Sequence, residues 1–281
     1  MSIHVEDLTY IYSPGSPFEK KAIDGITLDI SDGEFVGIIG HTGSGKSTFI
    51  QHLNALITPT KGRVLVDGED IHLSKNKAQL RRRVGLVFQY PEYQLFDETV
   101  FKDCCFGPRN MGLTEEVIKQ YVTVALRTVG LDESTWEKSP FELSGGQKRR
   151  AAIAGVLAMH PEVLILDEPA AGLDPAGRND ILHIIRNIHE NGTTVIMVSH
   201  SMDDVARLCS RVIVLEEGRV AMDGTCAEVF AEVDKLNSMG LRLPQAALLR
   251  DRLNKHGFQL DKGIYTIDAI ADALIKTLSK R

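Results

Sequence analysis

The chain has 281 residues, a formal charge of −6 and 43% hydrophobic residues. That acidic balance argues against a dedicated nucleic-acid binder, whose domains are basic, and the short run Arg81-Arg82-Arg83 reads as a solvated helix end. No apolar run approaches the roughly 18 residues needed to cross a bilayer, and residues 1–7 lack the basic and apolar regions of a signal peptide, so a peripheral rather than a membrane-spanning protein is expected.

In chain order, the first element is a strand carrying Tyr10 and Tyr12 on one side. Residues 34–39 form a short apolar run of strand type, followed by Gly40-His41-Thr42-Gly43-Ser44-Gly45-Lys46-Ser47 and then Thr48. A helix is expected next, with Phe49, Leu53 and Leu56 near helical spacing. Residues 84–88 form another strand, which ends at Gln89. Residues 90–160 read as mainly helical, with an amphipathic segment over 116–127. Within this stretch Leu143-Ser144-Gly145-Gly146-Gln147 opens a helix whose Ile153, Val156 and Leu157 point inward and whose Lys148-Arg149-Arg150 face solvent. Buried parallel strands read as continuous apolar runs. Val163-Leu164-Ile165-Leu166 is one, ending in Asp167-Glu168-Pro169, and residues 195–199 are another, ending in His200. A tail follows residue 225, with Pro244 at an expected first helical position. The four cysteines show no metal spacing and read as free thiols.

The chemistry follows from the spacing. G-x-x-x-x-G-K-[ST] between a strand and a helix is a phosphate cradle: its backbone N–H groups and the helix N-terminus face the anion. Lys46 is expected to reach the β- and γ-phosphates, and the Ser47 hydroxyl to hold Mg²⁺. Asp167, at a strand's carboxyl end, is placed to hold Mg²⁺, and Glu168 is the candidate general base for an attacking water. Ser144 and the adjacent N–H groups, opening a helix, make a second anion site.

The loop and the signature together resemble the ATP-binding cassette (ABC) ATPases. The resemblance implies an α/β fold: a P-loop cassette with a parallel-sheet core, a small antiparallel β subdomain, a helical insert and a C-terminal helical tail. It implies a cassette over residues 1–225, with the insert at about 90–160, and a tail domain over 226–281 that contacts a second chain. Gln89 matches the glutamine that senses Mg²⁺ and water, His200 the histidine that contacts the γ-phosphate, and Asp174 in Ala171-Gly172-Leu173-Asp174 the loop that crosses between subunits. Ser144, Gly145, Gly146 and Gln147 would face the ATP held by the opposite subunit. Tyr12 is favoured to stack on adenine, with Tyr10 a competitor. His41, at a variable loop position, reads as a variant within the ATP site and not as a catalytic group.

Residues 88–100, the stretch 106–112, the extended signature, the insertion at 13–22 and the tail are similar to the ATPases of energy-coupling factor (ECF) transporters. That group implies ATP-driven uptake of a vitamin or transition-metal ion at the cytoplasmic face of the cell membrane. Its partners are a second ABC ATPase chain, a transmembrane coupling subunit and a substrate-binding membrane subunit, with no nucleic acid. Gly-His-Thr-Gly-Ser-Gly-Lys-Ser suggests the second of two paralogues that pair as a heterodimer, a homodimer remaining open. By the same resemblance Tyr93, Leu95 and Phe96 line the groove that receives the coupling subunit. The alternatives are the ATPase of another ABC transporter or a non-transport ABC ATPase; the absence of sustained heptads in the insert argues against a chromosome or repair ATPase.

Overall fold

The computed structural model describes residues 1–73 and 77–278. Strands β1 (Ile3–Tyr12) and β2 (Lys20–Ile30) pair antiparallel, and β3 (Phe35–Ile39) runs through the glycine loop into α1 (Lys46–Leu53). After β4 (Lys61–Val66), β5 (Glu69–Asp70) and α2 (Lys77–Arg83) the chain enters β6 (Val84–Val87). Helices α3 (Val100–Asn110), α4 (Glu115–Thr128) and α5 (Gly145–Leu157) form the insert. Strand β7 (Val163–Asp167), α6 (Pro175–Glu190), β8 (Thr194–Val198), α7 (Met202–Leu208), β9 (Arg211–Glu216) and β10 (Arg219–Thr225) complete the cassette. Four helices follow: α8 (Cys226–Ala231), α9 (Val233–Ser238), α10 (Gln245–Lys255) and α11 (Ile267–Leu278).

Two sheets result, one antiparallel in the order β2-β1-β4-β5, the other in the order β10-β9-β3-β8-β7-β6. In the second, five strands are parallel and only β10 runs antiparallel, at the edge. Every residue of β3, β6, β7 and β8 is buried, as expected of strands covered on both faces. The register aligns their carboxyl ends: Val87 lies beside Leu166, Asp167 beside Val198, and Val198 beside Ile38. The segments beginning at Gln89, Glu168, Ser199 and Gly40 therefore leave the sheet at one rim, where open α/β sheets bind ligands.

The insert packs as its pattern implies. Helix α4 buries Ile118, Val122, Ala125 and Leu126 on one stripe, and α5 buries Ile153 with Val156 and Leu157 partly covered. Three local expectations are corrected. Helix α1 stops at Leu53, because Ala55 takes a positive φ of 52°, so Leu56 leaves the helix and stays 38% exposed. Pro244 caps α10 and does not begin it. Arg149, expected among solvated charges, is 1% exposed.

The tail does not begin a separate core at residue 226. Cys226, Val229, Phe230, Leu236 and Leu243 join the apolar cluster of the sheet and insert, while Ala246, Leu260 and Ile270 centre a smaller cluster of their own. The tail's apolar residues are thus shared between the cassette's cluster, which Ala247 and Tyr265 also join, and a small cluster built on α10 and α11.

Candidate functional site

The glycine loop is shaped by contacts that exclude side chains. At Gly40 a Cβ would meet the Leu215 carbonyl at 2.3 Å, and Gly45, at φ 102°, would meet the Ala22 carbonyl at 2.6 Å. The loop thus lies against β2 and β9. Ser44 is fully buried with its hydroxyl unpartnered among the protein atoms. Lys46 is 7% exposed, and its ammonium donates to the carbonyls of Gly40 (2.7 Å) and His41 (2.9 Å) across the cradle. Burial lowers its pKa, opposed by the nearby Glu168 and Asp167 carboxylates. Thr48 is also buried, and His41 is exposed, its ring Nδ1 2.7 Å from the Thr42 carbonyl.

Opposite the loop, the Ser47 hydroxyl donates to Asp167 Oδ2 at 3.0 Å, joining two elements 120 residues apart. Burial raises the Asp167 pKa. Glu168 stands beyond the strand end at φ 51°, a costly conformation for a residue other than glycine. Its Oε1 lies 3.4 Å from His200 Nε2. Burial pushes its pKa up to about 7, with the Asp167 charge adding to the effect. Burial, then Lys46, holds the His200 pKa below its usual value. Tyr12, Thr42, Gly43, Gly45, Lys46, Ser47, Thr48, Gln89, Asp167, Glu168 and His200 line one cavity of about 280 Å³. Lys20, Ala22 and Val198 complete it and were not among the expected site residues; the pairing of β1 with β2 sets Lys20 opposite Tyr12.

Of the two tyrosines, Tyr12 lines this cavity, 40% exposed, with its hydroxyl 3.1 Å from Thr48 Oγ1. Tyr10 packs edge-on against Tyr12 and against buried His52. The signature lies elsewhere. Ser144 caps α5 in a capping box, its hydroxyl accepting from the Gln147 N–H and the Gln147 side chain accepting from the Ser144 N–H. Ser144 and Gly145 are exposed, and neither lines the cavity that holds Lys46. Asp174 caps α6, accepting from the Gly177 N–H at 2.8 Å.

The ABC transporter family model matches residues 23–171, more than half of the chain. The chain is 56% identical to the energy-coupling factor transporter ATP-binding protein EcfA2 of Clostridium perfringens, over 99% of both, and 54% identical to that of Clostridium tetani over 100% of this chain and 99% of the relative. It belongs to the ATP-binding proteins of energy-coupling factor transporters. Among solved structures, cbiO1 from Clostridium perfringens, described as part of the ABC transporter complex cbiONQ, superposes with a TM-score of 0.74 at 42% identity, over 89% of this chain and 98% of that one. A dimeric ATP-binding cassette in a post-hydrolysis state, bound to ADP and Pi, superposes with a TM-score of 0.71 at 28% identity, over 80% and 98%.

As a member of this family the chain is an ABC ATPase, the ATP-hydrolysing subunit of an energy-coupling factor transporter. Among the described residues no helix is long and apolar enough to cross a membrane. A second cavity, of about 480 Å³ and largely apolar, runs between the insert and the sheet, lined by Leu56, Phe88, Phe96, Phe106, Val156 and Met159 among others. Phe96 is 61% exposed and meets Phe106 edge-on at 5.2 Å. Tyr93 is 84% exposed but does not line the groove; its ring lies 6.1 Å from Tyr90. Leu95 is 7% exposed and belongs to the apolar core, so it supplies the groove's floor and not an accessible anchor. Residues flanking Gln89 thus divide between core and surface.

Glu168 makes this ATPase's stability depend on pH. A carboxyl whose folded pKa lies above its unfolded value binds more protons folded, so stability falls as pH climbs from about 4.5 to about 7. In Glu168→Gln this contribution is absent. The ligand-free variant should match wild type near pH 4 and exceed it by roughly 3 kcal/mol at pH 8. Denaturant melts of both chains across that range test it, and parallel curves would remove the burial cost from Glu168.

Proposed function

We propose that two ATP-binding chains, favoured to be paralogues, close around two ATP molecules at the cytoplasmic face of the membrane and drive uptake of a vitamin or transition-metal ion. The reading rests chiefly on one observation: the cavity gathers Lys46, Asp167, Glu168 and His200 but not Ser144. A chain with one loop and one exposed signature needs a second chain to complete each site, and a 28%-identical cassette is described as a dimer bound to ADP and Pi.

In this reading adenine stacks on Tyr12, the tyrosine that lines the cavity. Lys46 exchanges the Gly40 and His41 carbonyls for phosphate oxygens, and the loop N–H groups receive the rest of the phosphate chain. Mg²⁺ fits the Ser47–Asp167 pair with Gln89 nearby, since it is usually held by one or two carboxylates or hydroxyls plus substrate phosphates. When bound it neutralises charge on the phosphates. Glu168 accepts the proton of the water whose oxygen attacks the γ-phosphorus as the bond to the bridging oxygen breaks. His200, exposed at the next strand end and 3.4 Å from Glu168, orients that carboxylate and meets the γ-phosphate. Ser144 and the N–H groups of Gly145, Gly146 and Gln147 meet the γ-phosphate held by the opposite loop, with Asp174 at the crossing between chains.

The apolar groove and the exposed rings beside it receive a helix of the membrane coupling subunit, which in turn contacts a substrate-binding membrane subunit. A groove anchor typically costs 2 kcal/mol or more when truncated, roughly thirtyfold in affinity. Phe96→Ala and Tyr93→Ala should therefore weaken co-purification with the coupling subunit to about that extent while leaving ATP binding by the isolated chain intact. Leu95→Ala should instead cost roughly 2–5 kcal/mol of folding stability, as a core truncation does. Wild-type assembly and uptake by both aromatic variants would place the docking surface elsewhere.

A further inference from the structure

Arg149 and Arg250 are the largest side chains buried beyond 98%. The Arg149 guanidinium, itself on α5, reaches two further segments. Its Nε and Nη2 donate to the two carboxylate oxygens of Glu92 at 2.9 and 2.6 Å, and its Nη1 donates to the carbonyls of Pro169 (3.2 Å) and Ala171 (2.6 Å). It also lies 5.7 Å from the centre of the Tyr90 ring. Tyr90 takes a positive φ of 54°, and a Cβ at Gly172 would meet its ring at 3.3 Å, so the ring is seated against the same segment that the arginine binds.

Each segment starts at a residue of the site. Tyr90 and Glu92 follow Gln89; Pro169 and Ala171 follow Glu168; Arg149 sits in the second turn of the helix that Ser144 caps. That helix also offers Ala152, Gly155 and Val156 to the apolar groove. A planar fork bound to a carboxylate on one side and to two carbonyls on the other sets the relative placement of the segments it joins, and no lysine could reproduce its geometry.

We propose that Arg149 is a positioning residue that, with Glu92, ties the signature helix to the segments following Gln89 and Glu168, so that the placement of Ser144 is coupled to that of the hydrolytic carboxylate. The proposal rests on the reading of Ser144 as the contact to the opposite ATP. A merely structural ion pair would be replaceable by apolar side chains of similar size; a positioning device would not.

The test compares Arg149→Met, the double variant Arg149→Met/Glu92→Met, and Arg149→Lys in the assembled transporter. Arg149→Met alone should melt lower, because it strands the Glu92 carboxylate. The double variant should regain the part of the melting loss due to the stranded carboxylate, the Pro169 and Ala171 carbonyls still lacking their donor, and should bind ATP as the isolated chain, yet lose roughly tenfold to a hundredfold in kcat with KM little changed. It should also move less substrate per ATP hydrolysed. Arg149→Lys should lose kcat in the same sense but by less. Wild-type kcat and coupling ratio in the double variant would overturn the proposal, and should that variant fail to fold, the same values in Arg149→Lys would overturn it. Ser144→Arg, run in parallel, separates the two readings: normal hydrolysis there removes the opposite-site role of Ser144 whatever the Arg149 variants do.

Discussion

Glu168→Gln should lower ATP turnover of the assembled transporter by roughly 10²–10⁴-fold, the range that a positioned general base supplies. ATP binding should survive, because the loop groups that hold the phosphates are untouched and Gln is nearly isosteric. The geometry makes the role specific. Glu168 follows Asp167 at the rim of the sheet, is held at a left-handed φ of 51°, and has a pKa of about 7 raised mainly by burial. A carboxyl tuned to that range accepts a proton at neutral pH more readily than an ordinary glutamate would. With ATP bound and not cleaved, the variant should accumulate as a closed pair of chains. Single-turnover hydrolysis and size-exclusion chromatography with ATP check both parts. Turnover within a few-fold of wild type would remove Glu168 from the role of base.

Ser144→Arg should abolish ATP-dependent closure while monomer nucleotide binding through Lys46 stays near wild type. The side chain at this position ends in an exposed hydroxyl at the start of α5, and its capping bonds run to Gln147 within its own helix. Arginine there places bulk in the second anion site. It also removes the cap, at a cost of about 1 kcal/mol, too little to unfold the insert. Equilibrium binding to the isolated chain and dimer formation in ATP separate the two effects. An isolated variant that remained folded but bound no ATP would mean that Ser144 serves its own chain's site. Hydrolysis should fall with closure, since each site needs both chains.

Much of this molecule was legible in its sequence because the signals are local. A run such as Val163–Leu166, buried on both faces, can only be a covered strand, and glycines at 40 and 45 mark where backbone must approach backbone. The glycine loop, the strand-end acids and the helix-opening signature each lie within a few consecutive residues, so local motifs and the resemblance they carry singled out Lys46, Ser47, Asp167, Glu168 and Ser144 as candidates. The fold class followed from the same strands and from the helical insert between them.

Tertiary structure decided whatever depends on partners distant in the chain. Lys148-Arg149-Arg150 reads as a solvated run, yet Glu92 and two carbonyls from residues 169 and 171 bury the middle arginine, and nothing near position 149 announces them. Leu95 and Phe96 are adjacent apolar residues, but the core takes the first and leaves the second at the groove. Tyr10 and Tyr12 share one face of a strand, and only the packing of His52 beside Tyr10 separates a supporting ring from the one that faces the cavity. The tail likewise joins the main core through Phe230 and Leu243 before forming its own small cluster. Local pattern determines which element a residue enters, because backbone geometry and periodicity are short-range. Whether that residue is then buried, paired or exposed is settled by segments far away in sequence, and that difference made Arg149 part of the interior.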